Sequence, residues 1–326
     1  MITVLVLKDY DWPLIRQTPG ISGIWDGVQF VERATTRCDY TIILNAVAAA
    51  ERVICPPEHI WAVMQEPPTG FRKGTHRGAH YYHRIYTQDP SLSGPRYIHS
   101  HPALPWHVNK TYDELRLCPM PEKRYALSCI TSNTTVLEGQ RERLHFIRKV
   151  GQRLDFDLFG RGFRPIDDKW DGLAAYRYSL VIENFQNPYY WTEKLADSFL
   201  AWTMPLYIGC TDVHRAFPAE AVICLDMYDP HVIEKIRSIV SSDAWRKNLD
   251  AIAAARDLVL ERYQLFPFLV NEIRRHEHSG SCVSHESKPV KLTPYPGALQ
   301  KWFGAVSHRV KTRLRHGLSQ QRVFDC

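Results

Sequence analysis

Short apolar, β-branched runs alternate with helical patterns along most of this 326-residue chain. The runs are continuously apolar rather than alternating, which is typical of strands covered on both faces. They lie at 2–7, 39–45, 59–64, 125–130, 155–160, 178–183, 204–209 and 221–226. Amphipathic helical patterns follow the fourth, the sixth and the last run. Because strands that alternate with helices form parallel, doubly wound sheets, the sequence predicts an α/β protein.

The alternation is interrupted between residues 65 and 124 by a stretch rich in Pro, Gly, His and Tyr. A chain of this length can hold two domains. We therefore predict one domain over residues 1–120, a second over 121–275, and a linker with a basic tail over 276–326. Two doubly wound domains in tandem form a cleft between the carboxyl ends of their sheets, which is where such folds bind ligands.

The net charge of +6 is unevenly distributed, because residues 276–326 carry eight Lys or Arg against three acidic residues. The rest of the chain is nearly neutral, which excludes a basic nucleic-acid-binding body. No run of 18 apolar residues and no signal-peptide pattern occurs, so we expect a cytoplasmic protein. The eight cysteines are scattered without a CxxC pair, which predicts reduced thiols rather than disulfides or a zinc site.

Residues 176–209 are the most informative part of the sequence. A buried strand is followed by a polar loop, and Thr192 then suits the N-cap position of a helix. Four side chains would meet at the end of the strand, beside a helix N-terminus suited to an anion: Asn184, Tyr190, Glu193 and Lys194. A cation for phosphate, a carboxylate for hydroxyl groups and an aromatic ring for stacking describe a nucleotide or sugar-phosphate site. An ordinary helix start after a turn explains the same spacing equally well.

The run Tyr-x-Tyr-x-Leu-x-x-Glu-Asn-(x5)-Tyr-x-Thr-Glu-Lys-Leu occupies residues 176–195, and Met-Pro-Leu-Tyr-Ile-Gly follows at 204–209. This pattern closely resembles the donor-binding motif of the α-1,3/1,4-fucosyltransferases, glycosyltransferase family 10, of the bacterial type. The resemblance implies a GT-B fold, in which two Rossmann-like doubly wound domains face each other across a cleft. It also implies transfer of fucose from GDP-fucose, with inversion, to a hydroxyl of a GlcNAc-containing glycan. The acceptor would bind the first domain and the donor the second.

The resemblance extends upstream through Ser132 and Asn133, and it implies that Arg143 binds the donor diphosphate. A guanidinium group can contact two phosphate oxygens at once, and Lys194 adds a second positive charge. Arg141 is two residues away, so an error in register would exchange the two arginines. Asn184, Tyr190 and Glu193 are implied to position the ribose, the diphosphate and the sugar.

In the first half, the run Trp-Ala-Val-Met-Gln-Glu-Pro-Pro at 61–68 resembles the family's strand that ends in an acidic residue and proline. The resemblance makes Glu66 the candidate general base, at the end of a strand that faces the cleft. The alternative is a glutamate that only shapes a Pro-rich loop.

Two sequence patterns resemble metal-binding sites, but we predict no metal at either. Asp155-Phe-Asp157 fits a DxD pattern, but it lies on a predicted strand and a structural role is favoured. Several histidines lack the carboxylate or cysteine partners of a zinc site and suit the lining of an acceptor groove: His76, His80, His83, His99 and His101. Arg and Lys can meet the leaving-group charge, so we expect no required cofactor, with stimulation by a divalent cation left open.

Residues 298–315 place Leu, Trp, Phe and Val at helical spacing opposite Lys and Arg. This pattern is typical of an interfacial helix, and it predicts contact with an anionic membrane surface. A helix that packs on the body of the enzyme is the alternative. The leading hypothesis is therefore a cytoplasmic fucosyltransferase, peripheral on the inner face of the membrane, that modifies a surface glycan precursor such as lipopolysaccharide and has no nucleic-acid partner.

Two other hypotheses stay open on the sequence alone. Phe185 stands where the family usually has a small polar residue, which allows a different nucleotide sugar as the donor. A non-catalytic relative that binds glycans or nucleic acid is the other alternative, supported only by the basic tail.

Overall fold

The computed structural model describes residues 1–32, 37–69, 80–279 and 286–294. The strands are β1 Ile2–Lys8, β2 Ile24–Trp25, β3 Val28–Val31, β4 Tyr40–Leu44, β5 Glu51–Cys55, β6 Ile60–Val63, β7 Arg84–Thr87, β8 Tyr97–His99, β9 Tyr125–Ile130, β10 Asp157–Phe159, β11 Tyr176–Ile182, β12 Met204–Ile208, β13 Ile223–Cys224 and β14 Lys288–Leu292. The helices are α1 Tyr112–Leu117, α2 Glu138–Gly151, α3 Glu193–Leu200, α4 Val232–Val240, α5 Ala244–Lys247, α6 Leu249–Leu258 and α7 Leu265–His278.

The first sheet has the order β2-β3-β1-β4-β6-β7-β8, and every neighbouring pair except β2–β3 is parallel. Strands β4 and β6 are buried along their whole length, as their continuous apolar runs predict. The next strands along the chain lie on opposite sides of β1, so the strand order reverses between β1 and β4. A reversal of this kind opens a crevice at the carboxyl ends of the two strands.

The second sheet has the order β10-β9-β11-β12-β13 and is entirely parallel. It repeats the arrangement of the first sheet, with the reversal between β9 and β11. Helix α2 connects β9 to β10, and α3 connects β11 to β12. The predicted α/β fold with two doubly wound sheets is therefore confirmed. The crevice of the second sheet lies after Ile130 and Ile182, beside the predicted polar loop.

Helix α7 returns the chain from the second half to the first sheet. Its aromatic side chains meet those of the sheet, with Phe266 4.9 Å from Phe30 and Phe268 5.3 Å from Tyr86 between ring centroids. The sequence analysis predicted no helix here and placed a domain limit at 275, inside this helix. The reason is physical: α7 begins with a continuously apolar, buried run over 265–270, and its second half is mostly polar and charged, so no regular apolar spacing runs along the whole helix.

Part of the predicted linker forms a strand. Strand β14 pairs antiparallel with β5, with Val290 opposite Val53 and Leu292 fully buried. Pro289 is tolerated there because the pair forms a two-stranded ribbon with open edges. The predicted amphipathic segment 298–315 lies outside the described residues. Within the described ranges, no helix combines the length and apolar character needed to cross a bilayer.

Candidate functional site

The carboxylate of Glu183, just after β11, closes the loop that leads to α3. It is buried and accepts hydrogen bonds from the Thr192 backbone N–H at 2.8 Å, from the Thr192 hydroxyl, and from Lys194 Nζ at 3.0 Å. Three donors compensate for the removal of this charge from water. Glu183 therefore supports the loop that connects β11 to α3.

The same loop brings Asn184 and Tyr190 together. The side-chain oxygen of Asn187 accepts hydrogen bonds from the backbone N–H groups of Tyr189 and Tyr190, at 2.9 and 2.7 Å. The Tyr190 hydroxyl then donates to Asn184 Oδ1 at 3.2 Å. Burial, together with the carboxylates of Glu183 and other acidic neighbours, raises the pKa of Tyr190 well above its ordinary value. Tyr190 is therefore a protonated hydrogen-bond donor at neutral pH.

Arg143 lies on α2 and is 5% exposed. Its buried Nε has no hydrogen-bond partner among the described residues, and the same is true of the Thr131 hydroxyl just after β9. Burial lowers the pKa of Arg143, while the nearby Cys129, Glu183 and Glu193 favour the charged form. Because a buried donor without a partner is unfavourable, Arg143 is suited to bind an anion that enters from the cleft.

Arg141 occupies a different environment from Arg143. Its guanidinium is exposed and donates to the backbone carbonyls of Thr135 and Val136, at 3.0 and 3.3 Å. Of the two arginines that the sequence left interchangeable, Arg143 is therefore the one in the crevice.

A cavity of about 370 Å³, called here the small cavity, opens at the carboxyl ends of the second sheet. Its lining residues include four cationic side chains and two acidic ones. The full lining is Trp12, His107, Ile130, Thr131, Ser132, Arg143, Gly160, Arg161, Ile166, Asp167, Lys169, Glu193 and Lys194. Residues of the first half thus cover a cavity that is built mainly by the second half, and the excess of positive charge favours an anionic ligand.

Glu193 and Lys194 both keep their charge in this cavity. Glu193 Oε1 lies 3.4 Å from Lys169 Nζ, 3.6 Å from Lys194 Nζ and 3.7 Å from His107 Nδ1. Burial alone would raise the pKa of Glu193, but these three neighbours hold it well below its ordinary value. Burial would likewise lower the pKa of Lys194, but Glu183 and Glu193 raise it.

Lys169 belongs to the same cluster, and the sequence interpretation missed it. Its Nζ lies 2.9 Å from Asp197 Oδ2, and Asp197 Oδ1 accepts the His107 backbone N–H at 2.7 Å. Burial opposes the charge, but Asp197 and Glu193 raise the pKa of Lys169 to about 12. The lysine begins a short 3₁₀ helix, Lys169–Gly172, before β11, and only the tertiary fold brings it to the start of α3.

We expect Lys169→Met to lower the free energy of unfolding by about 2–4 kcal/mol, because it leaves the buried Asp197 carboxylate without its ammonium partner. Chemical denaturation followed by circular dichroism measures the effect. Lys235→Met, at an exposed position on α4, is the matched control and should change stability by less than about 0.5 kcal/mol. Equal stability of the two variants would contradict the assignment.

Glu66 lies on the other side of the cleft, after β6. Its backbone N–H and that of Gln65 donate to Asn45 Oδ1, at 3.2 and 2.8 Å, which fixes the turn at the end of the strand. The side chain is exposed, and its charge acts on both Tyr10 of the first half and Tyr190 of the second. The carboxylate therefore faces the space between the two sheets.

A second and larger cavity, of about 650 Å³, called here the large cavity, is lined in part by Asn184. Its lining is Thr69, Val136, Leu137, Glu138, Gly139, Glu142, Glu183, Asn184, Phe185, Gln186, Met227 and Tyr228. Gly139 is required at the start of α2, since a Cβ atom there would lie 2.2 Å from the Asn184 carbonyl oxygen. Phe185 packs edge-on against Tyr190, with ring centroids 5.8 Å apart.

The histidines predicted to line an acceptor groove are partly reassigned. His101 stacks on Trp191 at 4.8 Å, and its Nε2 lies 2.8 Å from the Tyr263 carbonyl oxygen, so it belongs to an aromatic cluster between the two halves. His99 stacks on Tyr189 at 5.1 Å. The prediction was wrong for His101 because its polar edge is satisfied by backbone while its ring is packed. His76 lies outside the described residues.

The free energy of unfolding should depend on His101 at acidic pH. Burial lowers its pKa to about 4, against an ordinary value of 6.5, so the folded protein holds the ring neutral. The unfolded chain binds the proton first, and stability is therefore lost as the pH falls from 6.5 towards 4. We expect His101→Gln to reduce this decrease in the free energy of unfolding by about 1–2 kcal/mol. The ring is partly exposed, so solvent screening weakens the effect. Urea denaturation of the wild type and of His101→Gln at pH 6.5 and pH 4 measures the difference. The same pH dependence in both proteins would contradict the prediction.

Asp157 has a structural role, as the sequence interpretation favoured. It accepts a hydrogen bond from the Tyr176 hydroxyl at 2.8 Å and forms an ion pair with Arg164 at 3.2 Å. The hydrogen bond to Tyr176 connects β10 to β11, and the ion pair connects β10 to the segment that follows it.

Comparison with known proteins finds similarity to fucosyltransferases. Residues 120–245 match the model of a family described as glycosyltransferase family 10 (fucosyltransferase), C-terminal part. Alpha-(1,3)-fucosyltransferase 4 of Bos taurus is 30% identical over 115 residues, which is 33% of this chain and 28% of that protein. The 4-galactosyl-N-acetylglucosaminide 3-alpha-L-fucosyltransferase FUT6 of Homo sapiens is 30% identical over 89 residues, 26% of this chain and 25% of that protein.

A solved alpha1,3-fucosyltransferase structure is 14% identical, with a TM-score of 0.49, and the similarity covers 88% of this chain and 92% of that one. By contrast, the chain spans only about a quarter of the length of the curated relatives it matches. The family match contains Arg143, Asn184, Tyr190, Glu193 and Lys194, whereas Glu66 lies outside it.

Proposed function

We propose that the chain is an inverting fucosyltransferase of glycosyltransferase family 10, because residues 120–245 match the model of that family. It moves fucose from GDP-fucose to a hydroxyl group of a GlcNAc-containing glycan, in α-1,3 or α-1,4 linkage. The observation that carries the proposal is the buried Arg143, whose Nε lacks a partner among the described residues and which lines a cationic cavity at the strand reversal of the second sheet.

In this proposal the donor spans the two cavities. The diphosphate binds in the small cavity, where Arg143 and Lys194 supply positive charge. The guanosine binds in the large cavity, where Glu138 and Glu142 offer carboxylate acceptors for the N–H groups of guanine. Asn184 lines the large cavity and accepts the Tyr190 hydroxyl, and in this proposal the two contact the ribose and the diphosphate. Glu193 accepts hydrogen bonds from hydroxyl groups of the sugar.

The reaction is a single displacement. Glu66 takes the proton of the acceptor hydroxyl as that oxygen attacks the anomeric carbon from the face opposite the nucleotide. The bond between the sugar and the phosphate breaks, and GDP leaves with the electron pair. Arg143 and Lys194 stabilise the charge that develops on the diphosphate. We propose that turnover needs no cofactor and that a divalent cation acts at most as a stimulant.

Incubation with GDP-fucose and a panel of GlcNAc-containing acceptors, with and without EDTA, tests the function. Mass spectrometry should find acceptor that has gained one deoxyhexose, together with released GDP. Absence of transfer to every acceptor, combined with no binding of GDP, would contradict the proposal.

A different nucleotide sugar is the second candidate, and Phe185 favours it. By the family resemblance a small polar residue would stand here, whereas Phe185 lines the large cavity against Tyr190 and changes the shape offered to the nucleotide. Saturation-transfer NMR against GDP-, UDP- and ADP-sugars separates the two candidates. A preference for a nucleotide other than GDP would establish the second.

We further propose that the enzyme is cytoplasmic and binds the inner membrane surface through its basic tail, where it modifies a lipopolysaccharide-type precursor. The full chain should sediment with phosphatidylglycerol vesicles and not with phosphatidylcholine vesicles. A variant neutralised to Gln at Arg309, Lys311, Arg313 and Arg315 should lose most of this binding. Each charge contributes about 1 kcal/mol. Equal sedimentation of both proteins would contradict the role of the tail.

A further inference from the structure

Three potential metal ligands converge far from the cleft, where the end of α7 meets the first sheet. His59, His276 and Glu277 each present one ligand atom, and these atoms lie within 4.8 Å of one another. The two histidines are buried and the glutamate is half-buried. We propose that these three residues bind a divalent metal ion of the zinc type.

The orientation of His59 is the first argument. Its Nδ1 lies 2.8 Å from the backbone carbonyl oxygen of Asp39, and its ring stacks parallel to Tyr40 at 4.0 Å. A carbonyl oxygen can only accept, so Nδ1 carries the proton and Nε2 keeps its lone pair. Metal-binding histidines typically donate their other ring N–H to a carbonyl or carboxylate in this way, which fixes the ring for the metal.

Tyr40 provides the second argument, because its hydroxyl joins the other two ligands. It lies 3.1 Å from His276 Nδ1 and also donates a hydrogen bond to Glu277 Oε1. A hydroxyl that supports a carboxylate and an imidazole is the kind of outer contact that orients metal ligands. The rings of His59 and His276 are edge to face, with centroids 5.2 Å apart, so both imidazoles border the same small space.

The donor set points to zinc. Two imidazole nitrogens and one carboxylate oxygen suit zinc better than the all-oxygen shells of calcium or magnesium. Bonds of about 2.0–2.1 Å on a tetrahedral ion separate its ligand atoms by roughly 3.4 Å. Small side-chain rotations would therefore close the site, and a water molecule would complete the fourth position.

The place of the site in the fold indicates a structural function. His59 comes just before β6, and Tyr40 begins β4, so both lie at the amino edge of the first sheet, opposite the edge that faces the cleft. His276 and Glu277 are in the last turn of α7, which arrives from the second half of the chain. A bound ion would fasten this helix to the first sheet, and it would take no part in sugar transfer.

Metal analysis of the full chain tests the proposal without any activity assay. After EDTA treatment and dialysis, the protein should take up one equivalent of Zn²⁺ by mass spectrometric metal analysis and melt at a higher temperature. Co²⁺ in place of Zn²⁺ should give the visible absorption of a tetrahedral site. Glu277→Gln and His59→Gln should each weaken Zn²⁺ binding by about tenfold or more.

His231→Gln, at an exposed position before α4, is the matched control and should bind Zn²⁺ as the wild type does. Failure of the wild-type protein to retain zinc at micromolar concentrations would overturn the proposal, and so would equal zinc affinity of the wild type and Glu277→Gln. The cobalt spectrum of the wild-type protein keeps the test valid if a variant does not fold. None of these outcomes bears on the fucosyltransferase proposal, because none measures transfer or GDP binding.

Discussion

Arg143→Gln should lower kcat/KM for the nucleotide-sugar donor by about 100- to 1,000-fold, or about 3–4 kcal/mol. The guanidinium lines the small cavity and is 5% exposed, so water cannot replace it easily when the leaving group becomes charged. Glutamine keeps a polar side chain of moderate length and removes the charge. Initial rates over a range of GDP-fucose concentrations measure the effect.

Arg141→Gln is the matched control, on the same helix but exposed to solvent. It should retain kcat/KM within about twofold of the wild type, since its contacts are with backbone carbonyls and not with the cavity. If Arg141→Gln loses activity and Arg143→Gln keeps it, the assignment of the diphosphate contact is wrong.

Glu66→Gln should lower kcat by about 100- to 10,000-fold, the range expected for loss of a general base. Affinity for GDP should stay nearly unchanged, because the carboxylate lies on the opposite side of the cleft from the cationic cavity. The backbone contact with Asn45 does not involve the side chain, so the turn after β6 should persist. Transfer rates and calorimetric GDP titrations on the same preparation separate the two effects.

Glu51→Gln, at the start of β5 in the same half of the chain, is a suitable control and should be fully active. Transfer by Glu66→Gln at the wild-type rate would mean that another group accepts the proton. A parallel loss of GDP affinity would instead mean that Glu66 shapes the donor site.

The loop between β11 and α3 was predictable from sequence because its geometry is local. A buried strand, a polar loop and a capped helix follow one another within residues 176–200, so the positions of Asn184, Tyr190 and Glu193 are set by their spacing. The continuous apolar runs likewise predicted buried parallel strands in both sheets, because burial on two faces removes the alternation of polar residues.

Contacts between distant segments were not predictable in the same way. Lys169 joins the cluster at α3 from a short 3₁₀ helix, and nothing in its neighbouring residues marks it as the partner of Asp197. Helix α7 and strand β14 pack on the first sheet, although they follow the second sheet in the chain. Their apolar residues pack against residues that lie far away in sequence. The local sequence pattern therefore indicated the end of a domain where the chain in fact returns to the first sheet.

The proposed metal site illustrates the same limit. His59 and His276 are far apart in the chain, and neither belongs to a spacing that is typical of zinc ligands. Only the return of α7 to the amino edge of the first sheet brings them together.

Calorimetric titration of GDP into the wild-type protein and into the double variant Arg143→Gln, Lys194→Gln tests the central claim most directly. If the small cavity binds the diphosphate through these two cations, affinity should fall by at least about 100-fold, since each charge-assisted contact contributes about 1.5–3 kcal/mol. Equal GDP affinity of the two proteins would show that the nucleotide binds elsewhere and would contradict the account.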